Sequence, residues 1–172
     1  CLEVGDRLGR FLLLLLKWIE RVNLTGARSL EELLGEHVPD SFALARLCPA
    51  GDEVMDIGAG GGLPGIPFAL LRPDCRVALV EPRAKRVAFL HAAVREAEAV
   101  SIRVVRGRVE DLCDSGCAVA ASRATFPPDQ WLLAARRILR PGGRAVVFGA
   151  SPVALLPDGS CLESEVVYAT SS

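Results

Sequence analysis

The residues able to do chemistry fall into a few clusters. The first is Val54 to Pro67, V-M-D-I-G-A-G-G-G-L-P-G-I-P, where a short apolar run over Glu53 to Ile57 gives way to glycines at 58, 60, 61 and 62. Glycine takes positive φ without steric cost and lets a ligand approach bare backbone. Pro67 then suits the first turn of a helix, where a missing N–H costs nothing, and Phe68 to Leu71 continue it. Strand, glycine loop and helix in that order form a nucleotide cradle. A second feature is Glu81, 23 residues after Gly58 at the end of another apolar run. A carboxylate there can accept from both hydroxyls of an adenosine ribose. Next comes Gly107-Arg108-Val109-Glu110-Asp111, where Val109 can pack on an adenine face and an adjacent backbone or acidic group can meet the exocyclic amine. Arg123 closes the set, in Ser122-Arg123-Ala124-Thr125-Phe126.

Glycine spacing narrows the ligand. A dinucleotide fingerprint places glycines at the first, third and sixth positions of the loop, and Leu63 occupies the sixth. Here the spacing is 58, 60 and 62, with Asp56 two residues before the first glycine. That pattern resembles motif I of class I S-adenosylmethionine-dependent methyltransferases. Their ligand has no pyrophosphate, so the loop need only pass beneath the amino-acid part and the ribose.

These residues require a scaffold, and the composition supports one. A chain of 172 residues, 51% hydrophobic and 24% charged, can bury a substantial core as a single domain. A net charge of −1 excludes a basic nucleic-acid coat, so any RNA contact must come from a local patch. The six cysteines (1, 48, 75, 113, 117 and 161) include no C-x-x-C pair, and there are only two histidines, His37 and His91. No metal site is expected, and the cysteines are expected to be inert in a reducing cytoplasm. Phe11 to Leu16, between Arg10 and Lys17, is too short to span a bilayer and reads as core. The chain opens on Cys rather than Met and stops on Ser-Ser, as a processed or incomplete segment would.

Periodicity supplies the elements. Residues 7 to 22 read as a helix with Leu8, Leu12, Leu15, Leu16 and Ile19 on one wide face, packed on two sides. Ser29 and Glu32 form a capping box for a second helix that Pro39 must break or restart. Residues 1 to 50 are therefore expected to be a helical cap, and 51 to 172 a Rossmann-like core. In that core, strands are predicted at Glu53 to Ile57, Arg76 to Val80, Ile102 to Val105, Cys117 to Ser122 and Arg144 to Phe148. Helices are predicted at Lys85 to Ala97, with Val87, Leu90, Val94 and Ala97 inward, and at Gln130 to Leu139; Pro141-Gly142-Gly143 is a turn. This alternation makes an α/β fold: a mostly parallel sheet wound on both faces, with ligands at the carboxyl ends of its strands.

With these motifs in place, the resemblance narrows to a family. Asp56 to Pro67, Arg72-Pro73, Glu81 with Lys85-Arg86-Val87 and Phe89-Leu90, Arg108-Val109-Glu110 and Ser122-Arg123-Ala124 are similar to the ribosomal RNA small subunit methyltransferase G family, also called glucose-inhibited division protein B. Asn23-Leu24-Thr25, His37 and Asp40-Ser41 match its amino-terminal segment, so the likeness covers about residues 11 to 150. It implies transfer of a methyl group from S-adenosylmethionine to N7 of a guanine in the 530 loop of 16S rRNA, in the cytoplasm, by a monomer acting on rRNA or the 30S subunit. It also carries over Gly58 and Leu63 in the loop, Val109 and Glu110 beside the adenine, and Arg123, which can face the methionine carboxylate or the phosphate or O6 of the target guanine. Asp56, Gly60 and Glu81 complete the expected cofactor set.

The chemistry fits what the chain lacks. Guanine N7 has a free lone pair and needs no general base, so positioning can supply most of the acceleration. An Asn/Asp-Pro-Pro-aromatic turn, used on exocyclic amines, is absent after the fourth strand, and Cys48-Pro49 lies before the first strand, far from a nucleophile's place. RNA contact is expected from Arg83, Lys85 and Arg86, with Arg106, Arg108, Arg136, Arg137 and Arg140 as further candidates, whereas His37 is expected to be a hydrogen-bonded structural residue. The pattern departs from the family at Phe148 to Ala150, F-G-A in place of a lysine-glycine pair, and in the 22 residues after Ala150, where Glu163 to Ala169 can make one strand and a seventh is missing. Two other readings stay open: a class I methyltransferase of another RNA or a small molecule, and a noncatalytic module that binds the cofactor or rRNA.

Overall fold

The computed structural model describes residues 2–112, 116–148 and 161. Five strands, β1 (Glu53–Ile57), β2 (Arg76–Glu81), β3 (Ile102–Arg106), β4 (Cys117–Arg123) and β5 (Leu139–Phe148), form one parallel sheet in the order β3-β2-β1-β4-β5. The winding reverses between β1 and β4, where Val54 pairs with Val119 and Asp56 with Ala121. In an open α/β sheet that reversal leaves a crevice at the carboxyl ends of the two strands, which is where ligands bind.

Alternation along the strands divides the core. Val54, Val77, Leu79 and Val119 belong to one buried cluster with Phe11, Leu12, Leu15, Ile66, Phe68, Phe89 and Leu90. That face is covered by α1 (Leu2–Ile19), α3 (Val38–Leu47), α4 (Gly65–Leu71) and α5 (Ala84–Glu96). Met55, Ile57, Ala78, Val80 and Ala120 turn to the other cluster, around Trp131 and Ala135 of α6 (Pro128–Ala135). Trp131 Nε1 donates to the Val146 carbonyl at 2.9 Å, so the indole reaches a partner inside an otherwise apolar layer.

Several boundaries differ from the sequence expectation for local reasons. The first helix runs Leu2–Ile19 rather than 7 to 22, and it does pack on two sides, against α4 and α5. The second begins as α2 (Leu30–Glu32), with Ser29 Oγ accepting from the Glu32 N–H at 3.1 Å, while the Glu32 carboxylate accepts from the Arg28 N–H. It continues through a π-helical turn, Leu33–His37, into α3, so Pro39 restarts the helix in its first turn, where its missing N–H is tolerated. On α5 the buried face is Phe89, Leu90 and Ala93, continued by Ala97 at its cap, with Phe89 against Trp18 at 5.5 Å between ring centroids; Val87 and Val94 are only half-buried. Helix α6 stops at Ala135, not Leu139, and β5 starts at Leu139. The expected Pro141-Gly142-Gly143 turn lies inside β5 as an irregularity, between the pairs Cys117↔Leu139 and Val119↔Arg144.

The segment Glu163 to Ala169 and the Gly149-Ala150 pair lie outside the described residues, as do Cys1 and Cys113. Among the described cysteines, Cys48, Cys75 and Cys117 are buried. Burial pushes the Cys48 thiol up to about 12 and Cys117 up to about 11, which leaves neither available as a thiolate nucleophile.

Candidate functional site

The glycine loop leaves β1 through Gly58, whose N–H donates to the Val80 carbonyl at 2.9 Å, and so prolongs the β1–β2 ladder one step beyond the sheet. Gly58 has φ +74°, and a Cβ there would stand 2.4 Å from Thr125 Oγ1. Both facts require glycine. Gly65, at the first position of α4, is equally confined: a Cβ would meet Leu79 Cδ2 at 2.4 Å and Asp56 Oδ2 at 2.6 Å. Its N–H donates to Asp56 Oδ2 at 3.0 Å. Asp56 therefore fastens the end of β1 to the start of the helix across the loop. Burial pushes its carboxyl up to about 7, against the opposing pull of the Gly65 N–H and of Arg123, and Glu81 adds to the rise.

Glu81 is 2% exposed and stands at the carboxyl end of β2. Its Oε2 accepts from the Gly60 N–H at 3.1 Å and its Oε1 from the Arg83 N–H at 3.0 Å, while Arg86 Nη1 lies 3.8 Å away. Two backbone donors thus orient the carboxylate and leave each oxygen a further lone pair, the arrangement that a vicinal diol needs.

Beside Glu81 opens a cleft of about 190 Å³, lined among others by Ile57, Gly58, Val80, Pro82, Val109 and Phe126. Val109 is buried and heads a single 3₁₀ turn, Val109–Asp111, which Asp111 caps by accepting from the Arg108 N–H at 2.9 Å. Glu110, also on that turn, lines the cleft and is exposed at its rim. Phe126, also in the lining, stacks on Trp131 with ring centroids 6.1 Å apart. A cleft lined by Ile57, Val80, Val109 and Phe126, with a carboxylate beside it, has the chemistry to take a nucleoside. Leu63, by contrast, is buried in the core beneath the loop and offers the ligand at most its backbone.

The cap closes the other side of the loop. The Leu24 carbonyl would stand 3.2 Å from a Cβ at Gly61 and 3.3 Å from one at Gly60, and Ser41 Oγ donates to the Pro64 carbonyl at 3.0 Å. His37 Nε2 lies 3.4 Å from Thr25 Oγ1, in keeping with the structural role expected, and its buried Nδ1 has no hydrogen-bond partner among the described residues. Burial, and then the nearby Arg123, lower its pKa against the opposing pull of Asp40, Glu36 and Glu32. Arg123 reaches this cap: its Nε pairs with Asp40 Oδ2, and its Nη2 is 3.5 Å from the Glu36 carbonyl.

The structure thus gathers Asp56, Gly58, Gly60, Glu81, Val109, Glu110 and Arg123 around one crevice. The basic residues divide. Arg83 and Lys85 follow β2, Arg106 ends β3 and Arg108 follows it, all at the carboxyl ends of the strands. Arg136, Arg137 and Arg140 sit at the opposite edge, where β5 begins beside Cys117, and Arg140 pairs with Asp52 at 3.1 Å. Arg86 faces Glu81 instead of the outer surface, because a buried carboxylate at the helix start attracts it inward. Thr125, Phe126, Pro82, Ile57 and Asp40 were not singled out as site residues, since only the fold brings them there; the positive φ of Ala124, 53°, turns the chain so that Thr125 meets Gly58. Among the described residues no group of three His, Cys, Asp or Glu is placed to hold a metal, and no helix is long and apolar enough to cross a membrane.

The profile of the family described as rRNA small subunit methyltransferase G matches residues 5–152. A ribosomal RNA small subunit methyltransferase G of Neisseria meningitidis serogroup C (strain 053442) is 36% identical over 162 residues, 92% of this chain and 78% of that protein. One from Ralstonia nicotianae is 37% identical over 172 residues, 92% and 77% respectively. Among solved structures, a SAM-dependent methyltransferase from Aquifex aeolicus superposes with a TM-score of 0.54 at 18% identity over 64% of this chain and 62% of the other, a likeness of fold.

Proposed function

The chain belongs to the rRNA small subunit methyltransferase G family, and we propose from that premise that it transfers the methyl group of S-adenosylmethionine to N7 of a guanine in the 530 loop of 16S rRNA. The observation that carries the reading is the Glu81 carboxylate, oriented by the Gly60 and Arg83 N–H groups beside the adenine-sized cleft. Glu81 holds the ribose, Val109 and the turn bearing Glu110 hold the base, and the backbone from Gly58 to Leu63 passes beneath the amino-acid part. Asp56 keeps that backbone in register with α4. Arg123 stands at the switch point between cofactor and substrate as a positioning residue.

S-adenosylmethionine supplies an electrophilic sulfonium methyl. Guanine N7 carries an unshared pair in the plane of the ring and no proton, so no side chain has to accept one. Among the described residues, Asp56 and Glu81 accept from backbone N–H groups and Asp40 pairs with Arg123, which holds these acids in place rather than offering them as bases. What the protein contributes is alignment of N7 with the methyl and exclusion of competing water. The cap and core work as one unit, the cap shielding the loop through Leu24 and Ser41. We place the protein in the cytoplasm as a monomer acting on rRNA or the small subunit.

The test is a radiolabelled methyl assay on small subunits that lack the modification, paired with calorimetry. Expected are binding of S-adenosylmethionine with micromolar affinity and one methyl per subunit on guanine N7. Binding without transfer to any rRNA would leave a cofactor-binding module, and transfer to another RNA or to a small molecule would move the substrate.

A further inference from the structure

A second depression, of about 680 Å³, lies between α1 and α5, with Leu14, Trp18 and Val22 as its apolar wall and Lys17, Arg21 and Lys85 around it. It opens toward the carboxyl edge of the sheet: Lys85 is in the first turn of α5, four residues after Glu81, and Leu15 of α1 lies against the glycine loop, 3.2 Å from a Cβ at Gly61. The charges along α1 are sorted. Near its start, Arg7 and Arg10 are engaged with Glu3 and Glu98 at 2.6 and 2.7 Å. Toward its end, Lys17 and Arg21 are exposed and have no acidic partner among the described residues, as is also true of Lys85; the one acid in the groove is Glu20.

We propose that this groove carries a single-stranded stretch of the rRNA substrate beside the target guanine, its phosphates meeting Lys17, Arg21 and Lys85 and a base lying along the Trp18 wall. This rests on the rRNA methyltransferase reading above. Unpaired cations flanking an apolar, aromatic surface are what a single strand recognises, because its bases are free to lie flat while its backbone seeks positive charge. A folded protein partner would favour the reverse, an apolar patch with paired or absent charge at its centre. Lys17 and Arg21 also lie near the carboxyl end of a helix, where cations stabilise the dipole, so the test must separate stability from affinity.

The variant Lys17→Ala/Arg21→Ala is compared with wild type and with the control Arg7→Ala. Expected for the double variant are a KM for unmethylated 16S rRNA raised about tenfold, with kcat and S-adenosylmethionine affinity within twofold of wild type. Its affinity for a single-stranded 530-loop oligonucleotide should depend less on salt, the log–log slope falling by about 1.4 for two lost phosphate contacts. Lys17→Arg should restore what Lys17→Ala alone loses. An unchanged KM and slope would overturn the proposal, as would a drop in thermal midpoint that accounts for the whole loss. So would an effect confined to assembled subunits, since that assigns the groove to a ribosomal protein. If wild type binds the oligonucleotide with the steeper slope yet methylates no guanine, the methylation reading fails and the groove stands.

Discussion

Arg123 at the carboxyl end of β4 is ion-paired with Asp40 of α3, so the strand edge of the crevice and the helical cap are joined through one charged contact. Asp40 is 5% exposed. Arg123→Ala would leave that carboxylate buried beside a neutral side chain, which costs about 1–3 kcal/mol, while removing the guanidinium from the switch point. Reduced stability with a retained fold and loss of methyl transfer are expected. The double variant Asp40→Asn/Arg123→Ala should recover most of the stability and none of the transfer, as read by chemical denaturation beside the methyl assay. Full activity in Arg123→Ala would end the positioning role.

Glu81→Gln keeps the shape of the side chain and replaces one acceptor by a donor. Both backbone N–H groups that the carboxylate now serves, Gly60 and Arg83, cannot be satisfied by a single amide oxygen, so a modest loss of stability, about 1 kcal/mol, is expected. If Glu81 holds the ribose as proposed, the affinity for S-adenosylmethionine should fall about tenfold or more, through loss of a charge-assisted hydrogen bond. The ratio of wild-type to variant affinity should shrink toward one for an analogue without ribose hydroxyls. A ratio unchanged by the analogue means that Glu81 only braces the loop.

Gly58→Ala forces a side chain into positive φ, at about 1–3 kcal/mol, and drives its methyl against Thr125, whose Oγ1 lies 2.4 Å from the Cβ position. Shortening the opposing residue, in Gly58→Ala/Thr125→Gly, relieves only the second effect. The single variant is expected to lose cofactor binding by calorimetry and to unfold at a lower temperature, with the double variant in between. Binding equal to wild type in Gly58→Ala would show that the loop adjusts without harm.

Asp56 has a folded-state pKa of about 7, raised above its ordinary value mainly by burial. A raised carboxyl binds its proton more tightly in the folded state. Its contribution to stability is therefore complete below about pH 4 and is lost as the pH rises through about 7, at no more than about 1.4 kcal/mol per pH unit. Asp56→Asn keeps an acceptor for the Gly65 N–H and cannot titrate. The stability of wild type minus that of the variant should decline from pH 4 to pH 7 and level off above pH 8. A flat difference would mean that Asp56 is charged throughout.

What could be read from the chain was what local pattern encodes. The apolar run before Gly58, the glycine spacing and Pro67 announce a strand, a loop and a helix because each depends on neighbours in sequence: pleat, positive φ and a dispensable N–H. Alternation of strands with helices gave the parallel sheet on the same footing, and Glu81 was recognisable because it ends a strand at a countable distance from the loop. The misplaced boundaries were those where tertiary packing outweighs local preference. Phe89 is buried against Trp18 while Val87 is only half-buried, and from Leu139 the chain extends because β4 offers it a ladder.

Other features could arise only in three dimensions. No spacing predicts that Asp40 will meet Arg123 83 residues later, that Thr125 will confine Gly58, or that Arg86 will turn inward to Glu81 while Arg136, Arg137 and Arg140 collect at the far edge. Sequence by itself determined the kind of ligand and the strand ends that face it, since these follow from backbone conformation and residue chemistry. The tertiary structure alone decided which charges are engaged and which remain available, because pairing depends on distance through space, and distance is set when the sheet is wound and the cap is laid over it.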